Sequence, residues 1–239
     1  MRMTKYLGAA LVALAATAGL TSFNVKAQGT VPAVPTPAGT WWGIARACTT
    51  NSRFAQPPNT VDQAVCREAC GGDRCPMSTA PYDEVAMMPQ LFADGNVVAT
   101  DHVSLVAKHT TGQGRWEPAG KAVIDGKEYQ KVVASFLWFQ PRSPQDVDPG
   151  NPFSIFQGAV HPRFVMFFDP ANPDIVKGYI QPYVFNFTDK WGIVNMQPGT
   201  PFPSPDPLAP LPAVCNPTVI ANPYCPGTFM FVVRRVQPR

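Results

Sequence analysis

The sequence predicts an all-β protein, an antiparallel up-and-down barrel of about eight strands with a short disulfide-stapled helical insert and a proline-rich strap. Three observations lead there. With 28 prolines, the chain leaves no room for long helices or coiled coils. Apolar runs of strand length follow one another, separated by turn signals and not by helical segments, so no strand–helix alternation develops. Apolar residues at 45% and aromatics at 11% supply enough material for a core.

Residues 1–27 read as a cleaved signal peptide. Arg2 and Lys5 precede the apolar run Leu7 to Leu20, which is too short to span a bilayer, and Val25-Lys26-Ala27 offers small residues for cleavage before Gln28. The mature chain is therefore expected in the periplasm or secreted, with no stable membrane anchor. Arg2, Lys5 and Lys26 are three of the 19 basic residues, so the remainder balances the 16 acidic ones. A neutral mature protein has no general attraction for phosphate backbones, which argues against a nucleic-acid partner.

Residues 28–38 form a proline-containing arm, and 39–239 a single barrel domain. Thr40 to Cys48 reads as its first strand. Residues 49–80 are a cysteine-rich insert, in which Thr60 and Gln63 form a capping-box pattern and Gly71-Gly72 a stop, so 61–70 reads as a helix. Cys66 and Cys70 lie on one face of it and are expected to bond to Cys48 and Cys75, in either order. Cys215 and Cys225 would close the proline-rich loop, 198–226, between them.

The remaining strands are expected at Ala86 to Phe92 and Asn96 to Val106, flanking the turn Ala93-Asp94-Gly95, then at Arg115 to Glu117 after a loop at Thr111 to Gly114. Tyr129 to Phe139 follows the turn Asp125-Gly126. Phe153 to Val160, Phe164 to Phe168, Ile175 to Phe187, Trp191 to Met196 and Phe229 to Val236 complete the set, with His161-Pro162 as a turn. Several of these strands are apolar on both faces, so something must cover part of the outer wall: the insert, the strap or a second copy of the chain.

Gly39-Thr40-Trp41 opens the first strand, and Arg234-Arg235 lies in the last. This resembles the calycin and lipocalin-like barrels, in which a Gly-x-Trp motif begins strand one and an arginine from the end of the chain packs over the tryptophan. The resemblance implies that Trp41, Arg234 and Arg235 close the barrel. The stretch Gly112 to Gly120, containing Trp116, resembles a strand motif of uncharacterised secreted bacterial proteins. Phe187-Thr188-Asp189-Lys190-Trp191 is similar to the second lipocalin motif but lacks its tyrosine.

Familiar catalytic signatures are absent from the sequence: no Gly-x-Ser-x-Gly, no His-Glu-x-x-His, no phosphate-cradling glycine loop and no Cys-x-x-Cys. No cofactor and no metal site are expected, the acidic stretch Asp146 to Asn151 reading as a solvated turn. His102 and His109 would face opposite ways on one continuous strand. What remains is an aromatic concentration. Phe136 and Trp138 from one strand, with Tyr179, Tyr183, Phe185 and Phe187 from another, are expected to line an interior that holds an apolar small molecule. The alternatives are a cyclase- or isomerase-type enzyme in the same barrel, resembling allene-oxide-cyclase-type barrels, with His102, Glu117 and Tyr183 as its polar groups, or a structural protein that forms homo-oligomers.

Overall fold

The computed structural model describes residues 36–48, 62–71, 75, 84–102, 109–141, 149–150, 156–186, 206–209 and 227–237. Eight strands close into one antiparallel barrel in chain order: β1 (Gly39–Ala47), β2 (Glu84–Leu91), β3 (Asn96–Asp101), β4 (Gly112–Ile124), β5 (Lys127–Pro141), β6 (Phe156–Phe168), β7 (Ile175–Asn186) and β8 (Phe229–Arg235). The helix α1 (Gln63–Cys70) belongs to the connection between β1 and β2. Closure is made by β8 pairing antiparallel with β1, from Trp41 opposite Arg235 to Ala47 opposite Phe229. The all-β, eight-stranded barrel expected from the sequence is the architecture observed.

Turn chemistry sets the hairpins. Asp125 and Gly126 have φ of 49° and 74°, both left-handed, as a two-residue connection between twisted strands requires. Between β2 and β3, the Asp94 carboxylate accepts from the Asn96 backbone N–H at 3.0 Å, holding the turn in place.

Two strand assignments change. β4 begins at Gly112, not at Arg115, so the expected loop is part of the sheet. A Cβ on Gly112 would stand 2.5 Å from the Phe136 ring, and one on Gly114 would meet the Ser135 carbonyl. These glycines are strand residues on which a neighbouring strand and its ring lie directly. β6 is also continuous through His161-Pro162, with no turn there. Pro162 lies opposite Pro182 on β7, and the β5–β6 pairing lapses between Ser135–Arg163 and Trp138–Val160, where a proline has no N–H to give.

Strand alternation builds two apolar layers. The interior contains Trp41, Leu91, Val97, Trp116, Val132, Phe136, Phe164, Met166, Phe168, Val176, Phe231 and Val233. Outside, Val133 on β5, Val165 and Phe167 on β6, Tyr179 on β7 and Met230 on β8 pack against Ala64, Val65 and Ala69 of α1. The insert is therefore what covers this part of the two-sided apolar wall. Disulfides hold it there: Cys66 bonds Cys48 at the end of β1, and Cys70 bonds Cys75. The cap of α1 differs from expectation. Asp62 stands at the N-cap and accepts from the Ala64 and Val65 N–H groups, while Gly71, at φ 67°, provides the left-handed stop.

Residues 1–35, Thr60, Phe187, Cys215, Cys225, the strand expected at Trp191 to Met196 and nearly all of the 198–226 strap lie outside the described residues. Among the described residues, no helix is long and apolar enough to cross a membrane.

Candidate functional site

At one end of the barrel, the C-terminal ends of β3 and β5 meet the N-terminal end of β4. Asp101 closes β3, and His109 reaches back to it just before β4 begins. His109 Nε2 donates to Asp101 Oδ1 at 3.0 Å, and Nδ1 donates to the Thr110 carbonyl at 2.8 Å. Both partners are oxygens, so the protonated ring can donate to each at once. Burial pushes its pKa down, but the hydrogen bond to Asp101, the Thr110 carbonyl and the Asp101 charge outweigh this and leave it above the usual histidine value. The side chains are 2% and 8% exposed, so the pair is buried, and it is an ion pair when His109 is protonated.

The His109 ring stacks on Trp138, with ring centroids 4.4 Å apart and planes inclined by only 11°. From Trp138 the aromatic contacts continue inward. Phe136 lies 5.4 Å away, Phe164 4.8 Å beyond it and Phe231 another 5.5 Å on, between ring centroids. At the opposite end, Trp41 meets Phe168 edge-on at 5.5 Å.

The three indoles that belong to the interior are treated differently. Trp41 Nε1 donates to the Pro37 carbonyl at 3.0 Å, and Trp116 Nε1 to the Phe92 carbonyl at 2.8 Å. Trp138 Nε1 is buried and has no acceptor among the described residues. Such a donor costs about 1–3 kcal/mol while it goes unpaired.

The structure separates the residues expected to form one aromatic wall. Phe136 and Trp138 do face the interior. Tyr179 does not: it packs in the outer cluster beneath α1, and strand alternation places Tyr183 on that same outer face. The neighbouring Gly178 explains the phase. It takes the interior position, where a Cβ would stand 2.6 Å from the Phe231 ring. The backbone of Phe185 is described but not its side chain, and Phe187 lies outside the described residues.

The polar candidates are likewise dispersed. His102 is exposed at the turn after β3, where its Nδ1 accepts from the Ala86 N–H at 2.8 Å. Glu117 lies opposite Val133, on the outer face of β4. Two strands, β5 and β6, separate it from Tyr183. The acid–base pair the fold assembles is instead Asp101 with His109. Their spacing alone could not show this, because the two residues lie on either side of the connection between β3 and β4.

A second polar group occupies the outer face of β5–β7. Ser135, Arg163 and Gln181 lie side by side across the three strands, with His161 opposite Tyr183 in the neighbouring row. Ser135, Gln181 and Tyr183 are buried. Gln181 Nε2 donates to the Ala69 carbonyl of α1 at 3.1 Å. Burial pulls the His161 pKa down to about 4, so its ring is neutral at pH 7.

The closure expected from Gly-x-Trp is present. The Arg235 guanidinium lies 4.3 Å from the centre of the Trp41 ring. Arg234 is exposed on the outer face, opposite Trp42. No family model, no curated protein and no solved structure matches this chain.

Proposed function

We propose that the protein is an extracytoplasmic, calycin-like barrel that binds a small, mainly apolar molecule at its Trp138 end. The ligand carries one hydrogen-bond acceptor, such as a carbonyl oxygen. The buried Trp138 N–H without an acceptor carries this reading. An apolar surface lined by Phe136 and Trp138 supplies the affinity, and the single donor orients the ligand. His109 and Asp101 neutralise each other, so the site favours a neutral ligand over an ion. The two disulfides fit an oxidising compartment, and the Arg235–Trp41 closure fits the calycin resemblance.

A neutral, carbonyl-bearing fluorophore, prodan, tests the proposal. Saturable one-to-one binding with a blue-shifted emission is expected, weakened about tenfold in Trp138→Phe through loss of one hydrogen bond. Equal affinity in the wild type and in Trp138→Ala would overturn it.

A further inference from the structure

We infer that the outer wall of β5–β7 carries a second binding site, in which the Arg163 guanidinium and the His161 ring take the carboxylate of a small ligand. This site is on the opposite side of the sheet from the Trp138 end and does not depend on it.

Charge pairing on this wall singles out Arg163. Lys177 Nζ lies 2.8 Å from the Asp62 carboxylate, and Lys131 Nζ lies 3.9 Å from Glu68. Arg163 lies on the same wall and has no carboxylate partner among the described residues. It hydrogen-bonds the Tyr179 hydroxyl, a neutral group, while its Nε is buried with no acceptor. His161 is two residues along the same strand face, and its Nδ1 is also buried and unpartnered. Buried polar atoms without partners are rare in folded proteins, and here two fall side by side on adjacent rows of one sheet face.

The remaining polar groups frame the position without filling it. The Gln181 amide is already engaged with the end of α1. Ser135, opposite Arg163, adds a buried hydroxyl that can donate or accept. Arg163 and His161 are each half-buried as whole residues. A planar carboxylate suits this set. A guanidinium presents Nε and one terminal nitrogen as a fork that matches two carboxylate oxygens, and a neutral imidazole can donate to one of them.

Acetate is the probe, followed by nitrogen-15 NMR of the arginine Nε–H and histidine ring signals. The Arg163 Nε–H and His161 signals are expected to move saturably as acetate is added, while exposed Arg234 shows at most a weak, linear drift. Arg163→Met should abolish the saturable response at His161. If that variant does not fold, Arg163→Lys keeps the charge, removes the fork and should weaken binding about tenfold. An Arg163 signal that stays still, or drifts linearly as Arg234 does, would overturn the site.

Discussion

The Arg235 guanidinium lies 4.3 Å from the centre of the Trp41 ring while donating to the carbonyls of Ala38, at 2.7 Å, and Thr36, at 3.0 Å. One side chain thus joins the end of the chain to the start of the barrel. It also donates to the Asp174 carboxylate at 3.1 Å in the β6–β7 turn.

Removing that side chain should loosen closure. Arg235→Ala forfeits the contact with the indole face and two hydrogen bonds to carbonyls, a loss of about 2–3 kcal/mol. Arg234→Ala, exposed next door, should stay within about 0.5 kcal/mol. Urea unfolding of the two variants checks the contrast.

The Asp101–His109 pair makes stability depend on pH in the alkaline direction. The folded pKa of His109 is raised, so its stabilising contribution is complete below the ordinary value of about 6.5 and declines as pH rises through the folded value. Asp101→Asn should lower the His109 titration midpoint measured by NMR. It should also cost about 1–3 kcal/mol at pH 6, and less at pH 9.

His161 acts in the opposite sense. Its folded pKa is about 4, below the unfolded value, so the unfolded chain takes up the proton first as pH falls. Stability is complete above about pH 6.5 and declines toward pH 4, by up to about 3 kcal/mol. His161→Phe should remove this acid sensitivity, seen as a flatter dependence of the unfolding midpoint on pH between 6.5 and 4.

Reduction should release the insert. The Cys48–Cys66 bond spans 18 residues, and a loop of that size contributes about 3 kcal/mol. Cys48→Ser with Cys66→Ser should expose the layer of Val165, Phe167 and Met230 beneath α1. Hydrogen exchange of β6 and β8 amides, faster than in the wild type while β2 and β3 remain protected, is the expected readout.

The barrel was legible in the sequence because apolar runs of strand length are separated by turns and not by helices, as Asp125-Gly126 separates β4 and β5. The Cys48, Cys66, Cys70 and Cys75 set was legible because helix spacing points two of them outward together. Which side of the barrel a strand presents was not. Tyr179 has the same alternation whether it faces the interior or the underside of α1, and only the position of Gly178 against Phe231 settles the phase. The glycines of β4 read as a loop because their reason for being there, the Phe136 ring and the Ser135 carbonyl, lies on another strand. The Asp101–His109 pair is hidden for the same reason: it is made by the path of the chain and not by local spacing.

Native mass spectrometry of the protein purified from cells that produce it, with bound small molecules released and identified, tests the central claim most directly. Wild-type protein should carry one neutral, mainly apolar molecule per chain, and Trp138→Ala should carry none. Wild-type and Trp138→Ala proteins that both appear at the mass of the bare chain, or that retain the same molecule equally, would contradict binding at Trp138.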